Sequence, residues 1–253
     1  MSSPTTGAAA RRQTYWSASR SPRYSLLFAL PLLVLYETLA VALPGSAHGG
    51  QLRNGADVLL QELSYAVLGP AGPLSLIALV MLVCVVLVRR DMKRSGGSLR
   101  VATFGLMFVE AAVLAVAFGL VVGTATAQLL AHLRPLAAGP IDGLDGPTKL
   151  MLALGAGLYE ELVFRVLLVG ALAAGGRVVL GLSRGASGVA AAIIGALAFS
   201  AFHYVGPYGE PLQLQSFVFR AISGVAFSAL YLTRGFGITA WTHALYDIGV
   251  MLL

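Results

Sequence analysis

Seven stretches of this chain approach or exceed the length of apolar sequence needed to cross a lipid bilayer, and that pattern admits few architectures. A helical span needs about 20 apolar residues. The stretches run approximately over 25–43, 73–88, 101–130, 149–174, 189–205, 216–233 and 236–253, the second, fifth and last being the short ones. Hydrophobic residues make up 57% of the chain and charged residues 11%, with a mean hydropathy of +0.82. A soluble globule carries roughly a quarter charged residues, so that class is excluded. The expected fold is all-α: a polytopic integral membrane helix bundle of about seven transmembrane helices. Residues 56–68 set Asp57, Gln61 and Glu62 among apolar neighbours at helical spacing, as an additional interfacial or re-entrant helix would.

Residues 1–24 are polar, rich in Ser, Thr and Arg, and are expected to form a disordered cytoplasmic tail before a single transmembrane domain over 25–253. The first span lacks a small-x-small cleavage site ahead of Pro44 and Gly45, so it is expected to stay as an anchor, kinked at Pro31. Cys84 is the sole cysteine, which rules out an internal disulfide framework.

Lys and Arg accumulate in short cytoplasmic loops, which orients the bundle. Arg11, Arg12, Arg20 and Arg23 precede the first span; Arg89, Arg90, Lys93, Arg94 and Arg100 follow the second; Arg177 and Arg184 follow the fourth and Arg234 the sixth. The opposite loops hold Arg53, Arg134 and Lys149, so twelve cations stand on one side against three, with Arg165 and Arg220 inside spans. The expected topology places the N-terminus in the cytoplasm and the C-terminus outside, in the plasma membrane. This bias and contact with anionic membrane lipid account for the net charge of +6 without a nucleic-acid partner.

Against that background Glu160, Glu161 and Arg165 stand out, because an ionisable group at bilayer depth is costly and normally faces a partner or a wet cavity. Two later spans carry His203 and His243 with Asp247. At about 1.5 Å of rise per residue, the two glutamates lie roughly 16 to 18 Å below the outer face, His203 roughly 9 Å, and Asp247 and His243 roughly 12 and 18 Å. Groups from three spans thus converge on one layer. Glu161 and Arg165 are four residues apart and share a helix face, Glu160 is rotated by about 100°, and His243 and Asp247 again share a face. A glutamate in an apolar enclosure is a usable general base, so the set suits hydrolysis.

These residues resemble a known family. Glu160-Glu161-x-x-x-Arg165, Phe199-x-x-x-His203 and His243-x-x-x-Asp247 match, in order and helical context, the motifs of the CPBP intramembrane proteases, the group containing CAAX prenyl endopeptidases and bacteriocin-processing enzymes. The likeness covers about 100 residues, with the motif core over 150–253; the first three spans share only hydrophobicity. The resemblance implies a glutamate-dependent endopeptidase acting on a membrane-associated protein or peptide, at a C-terminal tail or CAAX-like end. It implies that Glu160 with His203 activates water and that His243 and Asp247 stabilise the oxyanion; Glu161 is a further catalytic candidate with Arg165 as structural or substrate support, the alternative being that the two form only an internal ion pair. Prenyl-processing members carry Asn at the last position. An ionised Asp247 would repel an oxyanion, so it is either protonated or holds His243 in a donating tautomer.

Other readings compete. Glu160, His203 and His243 would serve as zinc ligands, with Glu161 as base, although no His-Glu-x-x-His motif is present and no cofactor is required by the sequence. Gly185-Ala186-Ser187-Gly188 has a rhomboid-like form, making Ser187 an alternative nucleophile; as a helix N-cap it needs no function. The same polar layer would also suit a non-enzymatic protein, a bacteriocin immunity factor or proton-coupled transporter. Glu37 and Glu110 are expected to bond across helices or line the cavity, and Arg220 to snorkel. The loop 206–215 could gate access, and His48 and His132 carry no assigned role.

Overall fold

The structure is a computed structural model and describes residues 14–43, 52–95, 98–131, 143–206 and 209–252. Those residues form α1 (Tyr15–Ser19), α2 (Pro22–Ala42), α3 (Gly55–Leu68), α4 (Gly72–Ser95), α5 (Val101–Leu129) and α6 (Gly146–Gly155), a π-helical segment (Ala156–Val169), then α7 (Gly170–Val178), α8 (Arg184–Phe202), α9 (Leu214–Arg234) and α10 (Phe236–Leu252). No strand occurs among them. Side-chain caps start several helices: Asn54 accepts from the Ala56 N–H, Asp145 from Thr148 and Ser183 from Ala186, each satisfying a backbone donor that the first turn leaves free.

Five stretches are long and apolar enough to cross a membrane: Pro22–Ala42, Gly55–Ser95, Val101–Leu129, Arg184–Phe202 and Leu214–Arg234. The other two expected spans are helical but differently built. The π segment divides 146–178 into short pieces, and α10 has 17 residues. α2 runs without interruption through Pro31. The amphipathic element expected at 56–68 is α3; a 3-10 turn over Gly69–Ala71 folds it back on α4. The reversal is tight, since a Cβ on Gly72 would stand 2.2 Å from the Ser64 carbonyl oxygen.

Within the stretch expected to be a tail, Tyr15–Ser19 forms α1. Residues 1–13 lie outside the described residues, as do His48 and His132, whereas 14–24 are ordered, with Ser19, Arg23 and Tyr24 buried. Arg234 holds this end. Its guanidinium donates to both Glu110 oxygens and, at 3.0 Å, to Ser19 Oγ, and lies 3.7 Å from the Trp16 ring centroid. Tyr15 donates to the same Glu110; burial first, and then that bond, raise its phenol above the ordinary value. Glu110 is therefore bonded across helices.

α10 lies at the centre, packed against α2, α5, α6, the π segment and α9. Small side chains allow this: a Cβ on Gly157 would fall 2.4 Å from the Ala240 carbonyl oxygen, and one on Gly155 would fall 2.5 Å from the Tyr36 ring. Gly170, by contrast, has only the Arg165 carbonyl of the preceding π segment nearby, at 3.7 Å. Gly235, at φ 81°, supplies the backbone turn that reverses α9 into α10 and brings Phe227 against His243. By contrast α4 leaves Leu74, Leu82 and neighbours exposed, the surface that lipid requires.

Candidate active site

The π segment carries the acidic motif. Its i→i+5 hydrogen bonding widens each turn, a feature concentrated at functional sites. Both glutamates point inward: Glu160 is 8% exposed and Glu161 fully buried. Glu161 meets Arg165 as the four-residue spacing predicts, with Oε1 3.2 Å from Nη1. That contact is an ion pair without hydrogen-bond alignment, and the guanidinium finds its other support in the Phe199 ring, 4.3 Å away.

The same Glu161 oxygen reaches a second motif. It lies 2.7 Å from Nδ1 of His243, a residue 82 positions later on α10. The other imidazole nitrogen, Nε2, is 3.5 Å from Asp247 Oδ2, and the ring stacks on Phe227 with centroids 4.3 Å apart. A neutral imidazole has one N–H, so the two carboxyl groups are both served only by an imidazolium or when one carboxyl carries a proton. His243 thus links the π segment to α10.

Glu160 faces differently. Its Oε1 accepts a hydrogen bond of 2.9 Å from the Asn54 amide, and the His203 and His243 rings both bear on its charge. His203 follows the last turn of α8, and its Nδ1 is 2.9 Å from the Phe199 carbonyl oxygen. A carbonyl only accepts, so Nδ1 carries the proton and Nε2 of the neutral ring is left as a proton acceptor. Phe199 ties the site together: its ring is 5.0 Å from that of His203 and 6.4 Å from that of His243.

Sequence reasoning missed Asn54, together with Tyr36, Arg53 and Asp57, which support it. Tyr36 donates to Asp57 at 2.8 Å and accepts from the Asn54 backbone N–H at 3.0 Å, and Arg53 holds Asp57 at 2.6 Å. Arg53 also bonds Glu37 at 3.0 Å, and Tyr159 donates to Glu37 at 2.6 Å, so Glu37 too is bonded across helices. An Asn ahead of an amphipathic stretch signals a helix start; nothing in it announces a glutamate 106 residues away.

Among the described residues no group of three His, Cys, Asp or Glu side chains is arranged to hold a metal ion. In the zinc alternative, His203 and His243 each have Nδ1 committed, to a carbonyl and to Glu161. Ser187 is buried and donates to the Ala173 carbonyl; it is not the N-cap that its functionless reading made it, since Ser183, one turn earlier, caps α8. Arg220, expected to snorkel, pairs with Glu210 at 2.7 Å and tethers the loop after His203. Pro207 and Tyr208 of that loop lie outside the described residues.

Beside the site, α2, α4 and the π segment line a half-open pocket of about 800 Å³. Its walls are largely apolar, with Leu30, Ile77, Met81 and Leu162 among them, and Tyr159 and Asp57 at the end toward the polar network.

Residues 147–249 match the family model described as type II CAAX prenyl endopeptidase Rce1-like. That stretch contains Glu160, Glu161, Arg165, His203, His243 and Asp247. No curated protein and no solved structure matches the chain.

Proposed function

We propose that this chain, which belongs to the type II CAAX prenyl endopeptidase family through its Rce1-like residues 147–249, hydrolyses a peptide bond in a membrane-associated protein by means of Glu160. The observation that carries the reading is the 2.7 Å bond from Glu161 to His243, which joins two of the three polar motifs inside an apolar bundle. Isolated charges there would be costly, and their meeting from separate helices is what a hydrolytic site needs.

In this mechanism Glu160 takes a proton from water as the hydroxide oxygen attacks the scissile carbonyl carbon. His203, through Nε2, accepts from the same water and holds it. The carbonyl π electrons move to oxygen, and that oxyanion forms beside His243. Glu161 on Nδ1 orients His243, which as the imidazolium keeps its Nε2–H and stabilises the oxyanion by a hydrogen bond from it, without transferring the proton. Asp247 borders the same nitrogen and either carries a proton or fixes the ring. Collapse of the intermediate breaks the C–N bond, and Glu160 returns its proton to the leaving amine. Arg165 holds Glu161 in place.

The pocket of about 800 Å³ suits the apolar part of a substrate, a prenyl group or a membrane-seated C-terminal tail. We place the chain in the plasma membrane with seven spans, the N-terminus in the cytoplasm, and the site in the outer half of the bilayer. Reconstituted protein is to be mixed with a farnesylated CAAX peptide and, separately, with an unprenylated membrane-tail peptide, and the products read by mass spectrometry. Cleavage of either by the wild type, reduced at least about a hundredfold in Glu160→Ala, is the expected result; equal cleavage by the variant removes Glu160 as the base.

A further inference from the structure

We infer that Asn54, in the part of the chain that the family match does not cover, is the positioning residue of Glu160 and completes the site. The inference rests on the proposed role of Glu160. Its basis is a constraint on which way the Asn54 amide faces. The Oδ1 atom accepts from the Ala56 N–H at 2.9 Å as the N-cap of α3, so the only atoms left to meet Glu160 are the Nδ2 donors. An acceptor cap on one side thereby forces a donor toward Glu160 on the other. The backbone of Asn54 is fixed as well: its N–H donates to Tyr36, whose hydroxyl donates onward to Asp57, and Asp57 is held by Arg53 and by Gln61 at 2.8 Å.

The asparagine is 6% exposed, and the tyrosine and aspartate behind it are also buried. Glu160 Oε1 therefore receives a donor of fixed direction, which leaves its other oxygen as the proton acceptor. Glu160 thus differs from Glu161, whose Oε1 is shared by Arg165 and His243. The first span and α3 contribute to the chemistry through this chain of bonds rather than by touching a substrate.

N-cap chemistry makes the role separable from folding, because Ser and Asp both replace Asn as caps at little cost. Asn54→Ser keeps the cap and removes the donor, whereas Asn54→Asp keeps the cap and sets a carboxylate against Glu160. The double variant Asn54→Asp/Glu160→Gln reverses donor and acceptor and restores the bond. The test combines thermal melting of the full chain in detergent with cleavage of the farnesylated CAAX peptide and the membrane-tail peptide.

We expect Asn54→Asp to lower the melting midpoint by roughly 4 °C or more, and to do so no longer in the Glu160→Gln background. We expect Asn54→Ser to lose about ten- to a hundredfold in kcat with KM changed less than about threefold. Additive melting shifts, or an Asn54→Ser variant that cleaves at the wild-type rate, would overturn the inference. If wild type and Glu160→Gln cleave alike, it is the hydrolytic reading of Glu160 that fails, and the positioning role with it; the melting cycle still separates that failure from an absent Asn54–Glu160 contact.

Discussion

Replacing Glu161 with leucine would leave the Arg165 guanidinium, itself only 1% exposed, without its counter-charge. The 3.2 Å separation corresponds to a gross attraction of about 5 kcal/mol at an effective dielectric constant of about 20. Desolvation of both groups offsets most of that, so the intact pair adds little net stability. Removing one member is different, because the remaining charge stays buried; such losses run to about 3–5 kcal/mol. For a chain of this size the melting midpoint should fall by about 6–20 °C. Trp16 and Trp241 allow the transition to be followed by intrinsic fluorescence in detergent, since one lies under Arg234 and the other donates to the Phe28 carbonyl. The double variant Glu161→Leu/Arg165→Met, which removes both charges at similar volume, should recover most of the loss while remaining impaired in cleavage, because His243 has lost its Nδ1 partner. A Glu161→Leu variant melting within about 2 °C of wild type, or a double variant no more stable than the single one, would refute this account of the buried pair.

Three further outcomes follow from the geometry. Gly157→Val drives new atoms into the Ala240 carbonyl, 2.4 Å from the Cβ position; overpacking between the π segment and α10 should cost about 1–3 kcal/mol or more, visible as a lower melting midpoint and reduced cleavage. Chelators should leave peptide cleavage within about twofold of the untreated rate, since among the described residues no three His, Cys, Asp or Glu side chains are grouped to hold a metal ion; abolition by chelator and recovery with zinc would contradict this. In a Cys84→Ala background, Leu212→Cys on the 72%-exposed loop position should react with an impermeant thiol reagent applied to intact cells; reaction only after the membrane is opened would invert the proposed topology.

Legibility from sequence differed from residue to residue. Helical character along every apolar stretch could be read directly, since length and hydropathy are properties of contiguous residues. Glu161 with Arg165, and His243 with Asp247, could be paired because helical spacing is local. The π segment could not be foreseen: ordinary α periodicity also accounts for its pattern, and only packing of Gly157 onto α10 accompanies the wider turn. Nor could the ordered end at Tyr15, whose polar composition suggested a tail until Arg234 and Glu110 supplied partners from distant helices.

The chain's apolar runs committed it to a helical bundle in lipid, and its isolated charges marked the spans whose polar groups would have to find partners, because hydrophobic length and the cost of a bare ion do not depend on partners. Which carboxylate would meet which imidazole, and that Asn54 would stand against Glu160 from outside the recognisable motifs, depended on how helices far apart in sequence packed together. Hydrogen bonds act over about 3 Å, a distance that only the folded arrangement of α3, the π segment and α10 brings about.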